Sequence, residues 1–512
     1  MKKLKFIYIT IGILAFTACN DPEDVDITPE VLVEESVALT AGSADFSNYV
    51  SLGNSLTAGF TDGALFQASQ TLSLPNLLSQ KFSLVGGGSF TQPLTNDNLG
   101  GLAAGGTRIP GFGPRLVFGG AGPVGLETLI GPVTVTTDIA LNNPTGPFNN
   151  LGVPGAKSFH LLAPGYGNLD NVSLGLANPY FVRMTGSTPN ASVLELAVAQ
   201  APSFFSLWGG ENDVLGYATT GGDGTNPITP VSGVPGVGFD GSYGALIATL
   251  TAGGAQGVVA NIPNVLNIPH FTTVPHNPVP LDAATAAAVN GAYAPYNGGL
   301  QAAFGALTGT GLFTQEELDA RTISFTAGTN NAVVIEDETL TDLGAINPAF
   351  AALPKIRQAT EADLIVLPAA SFIGTLAVPG NPLTVNGVAV PLADKWVLLP
   401  SEQAEITVAT EAFNQIIAAT ASQAGLAFVD AYTLLNQLAN GGITSGDFTL
   451  TSSLVTGSAF SLDGVHPTAR GYALIANEFM KAIDVTYGSN FEASGNLLNV
   501  GDYPTNFSPI LQ

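Results

Sequence analysis

Two short segments near opposite ends of the chain carry residues that could perform catalysis together. Ser55 lies in a Gly-Asn-Ser-Leu segment after an apolar run, and His466 lies in an Asp-Gly-Val-His-Pro segment, three residues after Asp463. A serine hydroxyl is a weak nucleophile that needs a general base, and an aspartate can orient a histidine for that task. The chain has only four histidines, so this pairing is informative. The three residue types predict nucleophilic attack on an ester.

Each segment taken alone also has a plainer interpretation. A lone Gly-Asn-Ser is usually a polar turn, and the second segment could be a helix-capping loop with a surface histidine. Pro467 biases His466 away from helical dihedrals and itself suits the first turn of a helix. We therefore predict a helix from Thr468 to about Ile483, with His466 on a fixed loop at its entrance.

Two further segments could supply the hydrogen-bond donors that a tetrahedral intermediate requires. An oxyanion is stabilised by donors that are already in place. Asn212, in a Gly-Glu-Asn-Asp segment, could offer its side-chain amide, and Gly155, in Asn-Leu-Gly-Val-Pro-Gly, could offer its backbone N–H. Each signal is weak alone, because Asn-Asp is a common turn pair and the chain has 61 glycines.

Apolar runs that alternate with helical patterns predict the elements that would position these residues. Strands are predicted over residues 46–52, 203–208, 257–262, 332–335, 363–367 and 426–429. Helices are predicted over residues 74–82, 243–251 and 402–424, the last with Ser401 as its N-cap. Continuous apolar strands that alternate with helices are typical of a parallel sheet covered on both faces, an α/β fold. Ser55, Asn212 and Pro263 follow predicted strands, where such sheets carry reactive groups.

Together, Ser55, Gly155, Asn212 and His466 resemble, in that order, the four blocks of the SGNH/GDSL hydrolases. The first block is similar to the subgroup that reads Gly-Asn-Ser-Leu rather than Gly-Asp-Ser-Leu, and the triad chemistry does not need the missing carboxylate. The resemblance covers the core strands over residues 46–485. It implies a three-layer α/β/α, flavodoxin-like fold with a central parallel sheet of about five strands and long irregular insertions.

The resemblance also implies an activity, that of a serine esterase or lipase working through an acyl-enzyme. Ser55 would be the nucleophile, His466 the general base and then acid, and Asp463 the residue that orients His466. The backbone N–H groups of Ser55 and Gly155 and the amide of Asn212 would form the oxyanion hole. No cofactor is expected, and the family's lipases, phospholipases, thioesterases and acetylesterases leave the substrate open. The alternative is a non-catalytic glycan- or lipid-binding surface lipoprotein on a hydrolase-like scaffold.

The first residues resemble a bacterial lipoprotein signal peptide. Three lysines precede an apolar stretch over residues 6–16, which is too short to span a bilayer comfortably. Residues 1–18 would be removed, and Cys19, the single cysteine, would be lipidated. An ordinary secretory signal with an incidental cysteine is the other interpretation. A lone cysteine excludes intramolecular disulfides.

The charge balance limits the partners of the exported chain. Without residues 1–18, 11 basic and 39 acidic residues leave a net charge of −28. Nucleic acid and anionic lipid head groups are therefore poor partners. Residues 19–45 are predicted to be an acidic tether, which resembles the export signals of some Bacteroidetes lipoproteins. We expect an ester substrate, lipid or acylated carbohydrate, and anchoring at the outer membrane, with periplasmic and cell-surface orientations both open.

Long insertions and a C-terminal tail, residues 486–512, surround the predicted core. The insertions lie at about 86–148, 215–240 and 270–400. The first is too long for a structureless loop in a compact domain and predicts irregular or short β structure. Its apolar segment at residues 116–118 could cover an acyl-binding cleft or be ordinary core.

No metal site is predicted from the remaining polar residues. His160, His270 and His276 are far apart and form no metal-binding pattern. His270 and His276 could line the substrate cleft, although surface positions are the favoured interpretation. An acidic group, Glu336, Asp337, Glu338 and Asp342, could coordinate calcium, but a solvated acidic turn is favoured.

Overall fold

The computed structural model describes residues 37–381 and 384–511. The predicted signal peptide, the lipidation site Cys19 and the tether up to residue 36 lie outside the described residues. Among the helices of the described part, none combines the length and the apolar character needed to cross a lipid bilayer.

Short strands and helices alternate along the described chain. The strands are β1 (Tyr49–Gly53), β2 (Ala103–Ala104), β3 (Thr107–Arg108), β4 (Leu116–Phe118), β5 (Pro123–Gly125), β6 (Asn150–Gly152), β7 (Phe204–Trp208), β8 (Gln256–Ala260), β9 (Val279–Leu281), β10 (Gly328–Asn331), β11 (Val334–Glu336), β12 (Ile356–Gln358), β13 (Leu364–Ile365), β14 (Val397–Leu398), β15 (Ala427–Val429), β16 (Ile443–Ser445) and β17 (Phe448–Leu450). The helices are α1 (Ser55–Ala58), α2 (Gln67–Thr71), α3 (Leu74–Phe82), α4 (Leu126–Ile130), α5 (Pro179–Val182), α6 (Val193–Val198), α7 (Asn212–Thr219), α8 (Phe239–Thr251), α9 (Pro269–Thr272), α10 (Ala283–Leu307), α11 (Gln315–Arg321), α12 (Leu343–Ile346), α13 (Pro400–Ala424), α14 (Ala431–Ala439) and α15 (Ala469–Tyr487).

Five strands form one parallel sheet in the order β15-β8-β7-β1-β6. Gly53 of β1 is level with Trp208 of β7 and with Gly152 of β6, so these three strands end at the same edge. Every residue of β1 and β7 is buried, as expected of apolar strands in a covered parallel sheet. The predicted α/β fold with a parallel sheet of five strands is confirmed.

Two predicted strands lie outside this sheet, and one of its strands was not predicted. The runs at 332–335 and 363–367 correspond to β11 and β13, which pair antiparallel with β12 and β14. β6 has only three residues, two of them Asn and Gly, and so lacks an apolar run. An apolar run indicates a buried strand, but it does not specify which strand is its partner.

The predicted helices are present, with differences at their ends. α3 has the predicted bounds. α8 begins four residues before its predicted start, and α15 ends four residues after its predicted end. The prediction of Ser401 as an N-cap is wrong, because α13 begins at Pro400 and its N-cap is Leu399. The Glu402 carboxylate accepts the Leu399 N–H at 2.6 Å and so caps this end. Proline suits the first helical position because it has no N–H to satisfy.

The first insertion and the C-terminal segment pack on the body of the fold. Residues 86–148 contain the short strands β2–β5 and α4. Arg115, within this insertion, is fully buried and donates to the carbonyl oxygens of Asn98 and Ser508 at 2.8 and 2.6 Å. Phe491 and Val500 lie in the main hydrophobic core. The chain beyond α15 therefore contributes to the packed interior.

Candidate active site

The end of β1 and the start of α1 hold Ser55 in a tight turn. A Cβ atom on Gly53 would lie 2.0 Å from the Trp208 carbonyl oxygen, so the approach of β1 to β7 requires glycine. Asn54 is the N-cap of α1, and its Oδ1 accepts the Leu56 N–H at 3.0 Å. Ser55 is the first residue of α1, so its own N–H has no acceptor within the helix. The turn therefore leaves both the hydroxyl and the backbone N–H of the buried Ser55 available for contacts outside the helix.

Asp463 and His466 form the hydrogen bond that their spacing suggests. His466 Nδ1 donates to Asp463 Oδ2 at 2.8 Å. The other carboxylate oxygen, Oδ1, accepts the N–H groups of Val465 and His466 at 2.8 and 2.9 Å. Because Nδ1 is engaged as a donor, Nε2 of His466 is the ring nitrogen that can accept a proton.

The surroundings of Asp463 keep its carboxylate ionised. Burial acts to raise the pKa of Asp463, but the charge of protonated His466 and the hydrogen bonds from its ring and backbone hold that pKa well below its usual range. An Asp463 that is ionised at neutral pH fixes the tautomer of His466.

A set of hydrogen bonds ties the loop after α1, residues 60–63, to the loop that carries Asp463 and His466, residues 461–467. The bonds run from Gly63 N–H to Asp463 Oδ2 (2.8 Å), from Asp62 N–H to Ser461 Oγ (3.0 Å), from Leu462 N–H to Asp62 Oδ1 (3.0 Å) and from Thr61 Oγ1 to the Pro467 carbonyl (2.9 Å). The Phe60 ring also lies 4.6 Å from the His466 ring, centroid to centroid. These contacts, about 400 positions apart in sequence, bring the two motifs to one place.

The two predicted oxyanion segments also lie beside each other. Asn212 is the first residue of α7, and its Nδ2 donates to the Ala156 carbonyl at 2.9 Å. An amide nitrogen carries two hydrogens, so one remains for another acceptor. Gly155, the neighbour of Ala156, follows β6 and has a φ of 80°. The Asn212 amide is therefore anchored to the turn that contains Gly155.

One small cavity unites three of the four predicted blocks. Ser55, Asn212 and His466 line a cavity of about 30 Å³. Gly155 is not among the residues that line it. Its segment is tied to the site by the Ala156–Asn212 hydrogen bond and by the Val153 N–H, which donates to the Gly53 carbonyl at 3.0 Å. A hydroxyl, an amide and an imidazole with an ionised partner at one cavity are the groups needed for acyl transfer.

Sequence reasoning missed Glu211, a buried acid beside this cavity. Asn54 Nδ2 donates to Glu211 Oε2, while Glu211 Oε1 is buried without a hydrogen-bond partner among the described residues. Burial raises the pKa of Glu211 to about 7. The bond links the nucleophile turn to the residue before Asn212. A glutamate in a Gly-rich turn gives no sequence signal of burial, because the segments that cover it come from elsewhere in the chain.

We expect Glu211→Gln to flatten the pH dependence of stability. Because the pKa of Glu211 in the folded state, about 7, exceeds its ordinary value of 4.5, folding takes up a proton between these pH values and stability falls as the pH rises. Glutamine keeps an acceptor for Asn54 but does not titrate. Urea unfolding should therefore show a variant more stable than wild type at pH 8, by on the order of 1–3 kcal/mol.

A matched substitution at an exposed acid, Glu316→Gln, provides the control for this measurement. It should leave the slope of the unfolding free energy against pH as in wild type. Identical slopes for Glu211→Gln and wild type between pH 5 and 8 would contradict the assignment.

The favoured surface position of His270 is wrong. His270 is buried, and its backbone N–H donates to the Gly464 carbonyl at 2.9 Å. The Nε2 atom of its ring has no hydrogen-bond partner among the described residues. Burial lowers the pKa of His270 to about 4. His276 is half-buried, and His160 stacks on Tyr166 with ring centroids 4.6 Å apart. The proline-rich sequence around His270 suggests an exposed loop, whereas His270 lies in the short helix α9, which contacts Gly464.

The acidic group predicted from the sequence does not form one ligand set. Asp337 pairs with Arg357 at 2.6 Å, and Asp342 caps α12. Glu338 instead lies near Asp394 and Glu402, with carboxylate oxygens within 4.8 Å of one another. Burial, aided by these neighbouring charges, raises the pKa of Glu402 to about 8.

The apolar segment at residues 116–118 does not cover the cavity, although the Leu116 N–H donates to the Asp62 carbonyl at 2.7 Å. It forms β4, which pairs with β5 in a hairpin. Val117 is fully buried and Phe118 is 41% exposed, and none of the three residues lines the Ser55 cavity.

The sequence matches no protein-family model, no curated protein and no solved structure. The class that the structure defines is an α/β protein with a five-stranded parallel sheet.

Proposed function

We propose that this protein is a serine esterase that hydrolyses carboxylic esters through an acyl-enzyme, with the three-layer α/β/α arrangement of the SGNH/GDSL hydrolases. The observation that carries the proposal is that Ser55, Asn212 and His466 line one cavity while His466 Nδ1 is hydrogen-bonded to Asp463. This is the set of groups that activates a hydroxyl and receives the charge it creates.

The first half of the reaction forms the acyl-enzyme. Ser55 Oγ attacks the carbonyl carbon of the ester as His466 Nε2 takes the hydroxyl proton. The ionised Asp463 stabilises the resulting imidazolium and keeps its Nε2–H directed at the reacting oxygens. His466 then gives the proton to the leaving alcohol oxygen, the carbon–oxygen bond breaks, and the acyl group stays on Ser55.

The second half returns the enzyme to its starting state. Water attacks the acyl-enzyme, His466 takes a proton from that water, and Ser55 Oγ leaves with the proton as the carboxylic acid forms. In both halves the oxyanion accepts hydrogen bonds from the Ser55 N–H and from Asn212 Nδ2, the two predicted donors whose residues line the cavity. Each such donor is worth about 10²–10³ in kcat in serine hydrolases.

The proposal extends to the location of the protein. A basic and apolar segment before Cys19 supports export with lipid anchoring at the outer membrane, and the acidic residues that follow support a solvated tether. The net charge of −28 after residue 18 suits a body that stands away from an anionic membrane surface.

A fluorophosphonate probe tests the esterase proposal directly, because it reacts with an activated serine. We expect stoichiometric labelling at Ser55, identified by peptide mass spectrometry, and strongly slowed labelling in His466→Ala. Urea-unfolded protein is the control and should remain unlabelled. Folded protein that is not labelled at Ser55, yet retains binding to an acetylated polysaccharide or to lipid vesicles, would favour the non-catalytic surface binder.

A further inference from the structure

A second cavity lies next to the Ser55 cavity and has a predominantly apolar lining. It has a volume of about 70 Å³. Leu56, Pro263, Ile268 and Val465 line both cavities. Leu56 follows the nucleophile and Val465 precedes the base, so the apolar space begins where the reacting groups are.

Side chains of α14 form much of the second cavity. Leu434, Leu435 and Leu438 come from this helix, and Phe460 and Trp208 add aromatic surface. Leu435 and Leu438 are buried, whereas Leu434 is half-buried. Among the described residues, no charged or hydrogen-bonding side chain other than the Trp208 indole lines this space. Such a surface favours a hydrocarbon chain over water or an alcohol.

The course of the reaction indicates which part of an ester would occupy this space. The alcohol must depart before water attacks, whereas the acyl group stays bonded to Ser55 through both halves of the reaction. A narrow apolar cavity beside the nucleophile therefore suits the acyl group, which gains from burial for as long as it is attached.

The volume indicates how much of that acyl group the cavity can enclose. An engineered apolar cavity of about 150 Å³ accommodates benzene, with its six carbons. A cavity of about 70 Å³ is roughly half that size and has room for about three carbons beyond the carbonyl.

We infer that the substrate is an ester of a short acyl group, of about four carbons or fewer, whose hydrocarbon part occupies the cavity lined by Leu434, Leu435 and Leu438. This inference rests on the proposed esterase function and specifies its substrate class. It separates the protein from lipases and phospholipases that act on long fatty acyl chains.

A chain-length series of p-nitrophenyl esters tests the inference. For wild type we expect kcat/KM to be highest for acetate or butyrate and to fall by about tenfold or more at octanoate. Leu438→Ala should enlarge the cavity and raise the octanoate-to-butyrate ratio by about tenfold or more. Leu194→Ala is the matched control, since Leu194 is 7% exposed against 6% for Leu438 but lies in α6. It should leave the ratio unchanged.

The possible outcomes separate this inference from the proposal on which it rests. If Leu438→Ala does not fold, the half-buried Leu434→Ala makes the same test with a smaller loss of packing. Wild type that hydrolyses octanoate as well as butyrate, or a folded cavity variant with an unchanged ratio, overturns the inference while the esterase proposal stands. Absence of both ester hydrolysis and fluorophosphonate labelling overturns both.

Discussion

Ser55→Ala is expected to lower kcat/KM for p-nitrophenyl butyrate by roughly 10⁴-fold or more, without loss of the folded state. The substitution removes the nucleophilic oxygen but leaves Asn212, His466 and Asp463 in place, so only binding and oxyanion stabilisation remain. Alanine fits the position because Asn54, not Ser55, supplies the N-cap of α1, and alanine is the best helix former.

A neighbouring serine provides the control for this prediction. Ser51 is buried in β1, four residues before Ser55, and its Oγ accepts a hydrogen bond from Ser206 Oγ at 2.7 Å. Ser51→Ala should lower the free energy of unfolding by about 1 kcal/mol and leave turnover intact. Equal turnover by wild type and Ser55→Ala, with circular dichroism showing both folded, would exclude Ser55 as the nucleophile.

Asp463→Asn is expected to lower kcat at neutral pH by roughly 10³–10⁴-fold. An amide nitrogen in the place of Oδ2 would donate to His466 Nδ1 and force the ring proton onto Nε2. In that tautomer His466 cannot accept the proton of Ser55. In wild type the Gly63 N–H donates to Asp463 Oδ2 at 2.8 Å. The substitution places an amide donor against this N–H, so the free energy of unfolding should also fall, by about 1–3 kcal/mol.

Acid unfolding gives this prediction a readout that activity does not. Because the pKa of Asp463 is lower in the folded state than its ordinary value of 3.8, its stabilising effect is present above that value and is lost as the pH falls through the folded-state pKa. Asp463→Asn should lack this part of the acid dependence, whereas Asp319→Asn, at an exposed position, should retain it. If Asp463→Asn keeps the wild-type kcat, Asp463 does not orient His466.

Much of the central sheet was predictable because its signals are local. β1, β7, β8 and β15 are largely apolar runs, and such runs are usually buried wherever the chain places them. The runs at β11 and β13 look the same in sequence but pair antiparallel elsewhere. Strand pairing depends on which segments meet in space, and the apolar pattern of one segment carries no information about the other.

The candidate site divides in the same way between local and long-range causes. The sequence by itself determined the reactive residue types and the Asp463–His466 bond, because three positions of one loop suffice for that contact. Only the tertiary structure decided that the 60–63 loop holds the 461–467 loop beside Ser55, and that Glu211 and His270 are buried there. Burial and proximity arise from segments distant in sequence, so a residue's own neighbours cannot specify them.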